Sequence, residues 1–208
     1  GSVRKDGSRL RVTAQLVSAR DGLHVWSDVF DSKDSDLLRL QQEIALTVAQ
    51  AMKVTLVSGE EGRINARYTT DPAAWEMFLI GRQHWSTRSA NRLPEAIRWY
   101  RKAIEKDPDF ALAHAGIAAA LTVSPWYGNV DARKAFQSAR EEADRALQLT
   151  PDLAEAHAVM GAILFEHDFD WSGGSEHLRQ SIDLNPSCAE ARHWYGDLLS
   201  IQKKHDDA

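Results

Sequence analysis

The 208-residue chain reads as mainly α, an array of three and a half helical hairpins preceded by a small, truncated α+β module. Three observations predict this. From residue 71 onward, apolar residues recur at helical spacing, and Ala-rich stretches leave no strand-like run. Within that stretch one layout returns, starting at Pro108, Pro151 and Pro186. Ahead of it, residues 8–30 alternate apolar and polar with the period of two that a half-buried strand requires.

In the first module, Leu10, Val12, Ala14 and Leu16 share one strand face, and Arg9, Arg11, Thr13 and Gln15 the other. Arg20-Asp21-Gly22 supplies a tight turn, because Gly22 is free to take a positive φ. Leu23, Val25, Ser27 and Val29 then alternate with His24, Trp26 and Phe30, completing a β-hairpin. Val3 is a candidate for an earlier strand that turns at Asp6-Gly7. The aspartates of residues 31–36 suggest a calcium loop, but the Gly and bidentate Glu it needs are absent. Asp34 or Ser35 is expected instead to N-cap a helix over about 35–57. Leu38, Ile44, Val48 and Met52 give that helix its apolar stripe. Residues 58–70 have no period and two glycines, so they read as a linker. The expected organisation is a partial module over 1–57, a linker over 58–70 and the array over 71–208, its last repeat truncated.

The array announces itself by self-similarity. Pro108-Asp109-Phe110-Ala111-Leu112-Ala113-His114-Ala115 returns as Pro151-Asp152-Leu153-Ala154-Glu155-Ala156-His157-Ala158, and again as Pro186-Ser187-Cys188-Ala189-Glu190-Ala191-Arg192-His193. The prolines are spaced by 43 and 35 residues, and Pro72 lies 36 before Pro108. Small residues fall where paired helices must cross: Gly81, Ala118, Gly161 and Gly196 on first helices, Ala96, Ala139, Gly174 and Ala208 on second ones. Tyr100, Leu178 and Leu147 are expected to fill the space beside them. Extra residues near 86–91 and 122–131 are expected to form loops.

This layout resembles the tetratricopeptide repeat across about 138 residues. The tyrosine usual late in that repeat's first helix is replaced here by His84, Leu121, Leu164 and Leu199. Residues 1–57, through Arg11-Val12-Thr13-Ala14-Gln15-Leu16, Gly22-Leu23-His24-Val25-Trp26-Ser27 and Leu40-Gln41-Gln42-Glu43-Ile44-Ala45, resemble part of a linking module. That module precedes such arrays in bacterial class III adenylate/guanylate cyclases and winged-helix transcription regulators. The resemblance implies a regulatory context, an effector domain upstream, and a longer parent protein with an earlier strand and helix.

Carrying over the family's groove positions implies a concave wall of Trp75, Phe78, Arg82, Trp85, Ala115, Ala119, Glu155, Ala158, Ala162, Phe165, Glu166, His193, Asp197 and Ser200. It would be aromatic and basic at one end and acidic at the other, with an apolar anchor near Trp85 or Phe165. The implied function is non-catalytic: binding a partner peptide or domain in the groove. The alternative is homodimerisation, driven by an apolar face left exposed on the last helix (Trp194, Leu198, Leu199, Ile201).

Other chemistry finds no footing. Residues 71–208 carry 15 Lys/Arg against 21 Asp/Glu, so a nucleic-acid partner is not expected. Arg98, Arg101 and Lys102 flank Trp99 and Tyr100, but helical phase turns Tyr100 and Ala103 inward and the charges outward. His167, Asp168, Asp170 and His177 lack metal-ligand spacing and read as a turn over Trp171. His114 and His157 read as packing residues, and the lone Cys188 lacks a partnering base. No phosphate loop or nucleophile elbow is present, so neither cofactor nor metal is expected. With no run of 18 apolar residues, no membrane contact and a cytoplasmic location are expected.

Overall fold

The structure is a computed structural model that describes residues 1–7, 9–33, 37–52, 68–128 and 130–202. The expected cap at Asp34 or Ser35, the end of the first helix, most of the linker and Ala208 lie outside these residues. The chain divides into two compact units, Gly1–Pro72 and Ala73–Ala208.

In the first unit, β1 (Ser2–Asp6), β2 (Arg9–Val17) and β3 (His24–Lys33) form an antiparallel sheet in that order. Val3 therefore does belong to a strand, paired with Val12. Gly7 and Gly22 take φ of 56° and 70°, and a Ser18 N–H donates to the Leu23 carbonyl to close the second turn. Leu10, Val12, Ala14 and Leu16 are each half-buried while Arg9, Arg11 and Gln15 are exposed. In β3 the inward face belongs to Trp26 and Phe30, with Val25 and Val29 exposed. Helix α1 (Leu37–Ala51) packs on β3, where Leu40 and Phe30 are the buried pair.

Every secondary-structure element among the second unit's described residues is a helix. Its helices are α2 (Pro72–Ser86), α3 (Arg92–Lys106), α4 (Ala111–Tyr127), α5 (Ala132–Leu149), α6 (Ala154–Glu166), α7 (Trp171–Leu184) and α8 (Ala189–Ile201). Successive helices pair as hairpins, and α4, α6 and α8, the first helices of their repeats, also pack on one another. Close approach is steric in origin. A Cβ added at Gly81 would lie 2.6 Å from the Tyr100 ring, and one at Gly161 2.6 Å from Leu178. Ala96, Ala118 and Ala139 are fully buried at their crossings. In the second repeat the position equivalent to Tyr100 and Leu178 is the fully buried Ala143, four residues past Ala139, and Leu147 packs half-buried against the core. Gly196 meets no described atom within 4 Å.

The prolines do not begin helices, except Pro72 at the start of α2. Pro108, Pro151 and Pro186 sit in turns. Asp107 and Asn185 open two of these turns by accepting from the Asp109 and Ser187 N–H groups. Six residues past each proline, one side chain bonds back to the proline carbonyl. His114 Nε2 lies 3.4 Å from Pro108 O, His157 Nε2 2.9 Å from Pro151 O, and Arg192 Nε 2.7 Å from Pro186 O. The histidines thus do more than pack: they tie each first helix to its own turn.

Three expectations fail here. The insertion after residue 122 is not a loop but an extension of α4, with Pro125 in its last turn. Thr122 and Ser124 hydroxyls donate to the Ala118 and Ala120 carbonyls, keeping buried oxygens satisfied as the helix lengthens. Trp171 is not packed beneath its turn but 43% exposed, and Phe169 beside it has a φ of 59°. The last helix leaves no broad apolar face: Trp194, Leu198 and Leu199 are buried in the core, and of the four residues only Ile201 is exposed. The homodimer alternative loses the surface on which it rested.

The buried His157 faces His177 across α6 and α7, Nδ1 to Nδ1 at 2.9 Å. With the His157 Nε2 hydrogen donated to Pro151, its Nδ1 accepts from His177. Burial, then the neighbouring His157, pushes the His177 imidazole below its usual range, against Glu176 and Asp144. A depressed pKa means the unfolded chain takes up the proton first. Stability is then full above the unfolded value, about 6.5, and falls as pH drops through it. Thermal melts are expected to show His177→Gln flattening the decline between about pH 7 and pH 5.5.

Candidate functional site

The first helices of the array enclose a cavity of about 380 Å³, at the lower end of ligand-pocket sizes. Phe78, Arg82 and Trp85 enter from α2, Leu112, Ala115, Gly116 and Ala119 from α4, Glu155 and Val159 from α6, and Glu190 and Trp194 from α8. Tyr100 of α3 reaches the cavity between Gly81 and Gly116. Added Cβ atoms at those glycines would stand 2.6 and 2.9 Å from its ring. Only residues without side chains let this phenol through.

Two of the lining side chains are joined to each other. Trp85 Nε1 donates to Glu190 Oε1 at 3.3 Å, joining helices 105 residues apart. Arg88 stacks on the Trp85 ring at 4.5 Å and lies 3.7 Å from the same carboxylate. Inside, Phe78 sits against Tyr100, Phe110 and Trp75 with ring centroids 5.2–5.4 Å apart. Tyr100 is 1% exposed, and its hydroxyl makes no hydrogen bond among the described residues. Burial pushes its pKa upward, with Arg82 opposing and Glu190 adding. Burial likewise raises the Glu155 carboxyl, which Arg82 and an Asn185 hydrogen bond partly offset. Cys188, buried at the start of α8, has its thiol pushed up by burial, the reverse of what a nucleophile needs.

Residues 87–122 match the family model described as TPR repeat. The array thus carries a tetratricopeptide (TPR) repeat and has a TPR solenoid-like fold. The chain is 34% identical over 131 residues to the Rhizobium meliloti (strain 1021) protein named "Putative adenylate cyclase 3", which covers 62% of this chain and 22% of that relative. It is 21% identical over 194 residues to the Homo sapiens mitochondrial import receptor subunit TOM70, covering 93% of this chain and 30% of the other. The chain thus spans less than a third of the length of either relative. Among solved structures, the first TPR of Spaghetti (RPAP3) bound to HSP90 peptide SRMEEVD is similar at 17% identity. It covers 66% of this chain and 99% of that one, with a TM-score of 0.48.

Within the TPR domain the expected groove residues divide. Phe78, Arg82, Trp85, Ala115, Ala119 and Glu155 line the cavity. Trp75 stands behind Phe78, off the lining. Phe165 is 3% exposed, a core residue and not an anchor, and Ala158 and Ala162 are buried with it. His193 and Asp197 face solvent, 3.6 Å apart, and Ser200 is exposed beside them. The acidic groups are divided: Glu155, with Glu190, faces the aromatic and basic end, while Glu166 and Asp197 neighbour each other off the cavity. The reason is rotation of the wall. In the third and fourth repeats the cavity is met by residues four and eight past the proline, Glu155 and Val159, then Glu190 and Trp194. The positions seven and eleven past it turn away. Glu190 is the residue that sequence reasoning missed, although it occupies the same repeat position as Glu155.

The residues tested for metal chemistry are separately engaged. His167 stacks on Phe136 at 4.8 Å and bonds Asp168, which pairs with Arg140. Asp170 caps α7 by accepting from Gly173 N–H. Around Trp99, Arg98 pairs with Glu95, and Lys102 lies 4.3 Å over the indole. Among the described residues no helix is long and apolar enough to cross a membrane.

Glu166 lies outside the cavity. One of its carboxylate oxygens is buried with no hydrogen-bond partner. Burial first and Asp197 second raise its pKa to about 7, against a hydrogen bond with Trp126. An acid raised in the folded state contributes most below its unfolded pKa, about 4.3, and loses that contribution as pH rises through 7. Glu166→Gln is therefore expected to raise the melting temperature at pH 8 and change it little at pH 5.

Proposed function

We propose that this chain is a non-catalytic interaction region of a bacterial signalling protein, an adenylate or guanylate cyclase or a transcription regulator, and that its TPR cavity takes a peptide segment of a protein partner. One observation carries the reading. First helices of all four repeats converge on one cavity, and Tyr100 lines it with a hydroxyl that makes no hydrogen bond among the described residues. A hydroxyl lining a cavity without a bond of its own is available to an incoming donor or acceptor. The likeness to a relative named as an adenylate cyclase supports the signalling context, and the sequence pattern of residues 1–57 supports a linking role for the first unit. That context supports a cytoplasmic location.

The test is selection of a random-peptide display library on the folded domain, followed by affinity measurement on the enriched sequences. Trp85→Ala and Glu190→Ala are expected to weaken them by about tenfold each, the scale of one charge-assisted contact. Glu166→Ala is expected to leave them unchanged. Failure of the folded domain to enrich any sequence, or equal sensitivity at Glu166, overturns the assignment.

A further inference from the structure

We propose that the cavity selects a cationic side chain, arginine or lysine, from a basic segment of the partner. This rests on the peptide-binding reading above and names what the peptide must carry.

Two carboxylates reach the cavity from different helices, Glu155 from α6 and Glu190 from α8. Trp85 and Trp194 stand beside them, and Tyr100 presents its unbonded hydroxyl from the floor. A guanidinium fits this set, since it donates to carboxylates in a planar fork and stacks on aromatic faces. A phenol oxygen can accept a further N–H. The cations already present leave the place open. Arg88 is engaged with the Trp85 ring and Glu190. Arg82 is exposed at the rim and makes no hydrogen bond among the described residues. The raised Glu155 carboxyl marks a charge that burial penalises more than its neighbours relieve. An incoming cation relieves it, whereas an incoming carboxylate meets two of its own kind, with Arg82 at the rim and Arg88 already spent on Glu190.

The experiment uses fluorescein-labelled nine-residue Gly/Ser peptides whose central residue is Arg, Lys, citrulline, Leu or Glu, titrated into the whole chain by anisotropy. Citrulline keeps the shape of arginine and removes the charge. The Arg peptide is expected to bind about tenfold more tightly than the citrulline and Glu peptides, with Lys between. Glu155→Gln and Glu190→Gln, each shown folded by its melt, are expected to erase that preference. Arg82→Ala is expected to tighten the Arg peptide slightly. Equal binding of Arg and citrulline, or tighter binding of Glu with loss on Arg82→Ala, overturns the proposal. If the Leu peptide binds best and Trp85→Ala abolishes it, cation selection fails while the peptide cavity stands. If no peptide binds and the display library also enriches none, both fail.

Discussion

Gly161→Val is expected to destabilise the TPR domain by about 3 kcal/mol or more, lowering Tm on the order of 10 °C. Even the first carbon of the new side chain would lie 2.6 Å from Leu178 Cγ and 3.0 Å from the Gly174 carbonyl. The leucine can shift, but the carbonyl belongs to the partner helix, so the pair must separate. Gly174 offers no slack, as its own added Cβ would stand 3.1 Å from the Gly161 carbonyl. The two glycines are in reciprocal contact. Gly196→Ala provides the control. It holds the equivalent place on α8 with no described atom within 4 Å, so helix propensity alone acts and about 0.5–1 kcal/mol of stabilisation is expected. Thermal melts of both variants decide the matter, and equal effects would show that crossing contacts are not what glycine serves here.

Tyr100→Ala is expected to cost about 4 kcal/mol, the range for removing a fully buried aromatic side chain. The ring fills the crossing of α2 and α3, touches Gly81 and Gly116, and supports Phe78 at 5.4 Å. Tyr100→Phe isolates the hydroxyl. With no hydrogen bond among the described residues, its loss is expected to change stability by less than about 1 kcal/mol. If denaturant unfolding showed Tyr100→Phe to be as damaging as Tyr100→Ala, the hydroxyl would have a structural bond and could not be waiting for a ligand.

The architecture was legible because it repeats. Proline spacing, small crossing residues and helical phase each point to the same hairpins, and agreement in register across three copies is hard to produce otherwise. Which helix face meets the cavity was only partly legible. Ala115 and Ala119 were placed correctly in the second repeat. Ala158, Ala162 and Phe165 were not, because small rotations between repeats carry the wall by about a residue and no single repeat encodes them. Glu190 could have been found by asking which residues share the position of Glu155. Trp194 was mistaken for an exposed residue because the hairpin seemed incomplete, yet it is buried in the core, where α8 packs on α6. The extended α4 was hidden by Pro125, which reads as a breaker although in the last turn of a helix it forfeits only its own bond to the Leu121 carbonyl.

Solenoids behave as linear chains in which each unit answers only to its neighbours, so that the ends melt first and independently. The bond from Trp85 to Glu190 departs from that rule, because it couples the first of these repeats to the fourth. The array is then a ring in its thermodynamics while remaining open in its connectivity. Loosening either end withdraws support from the other, and whatever enters the cavity between them is felt at both.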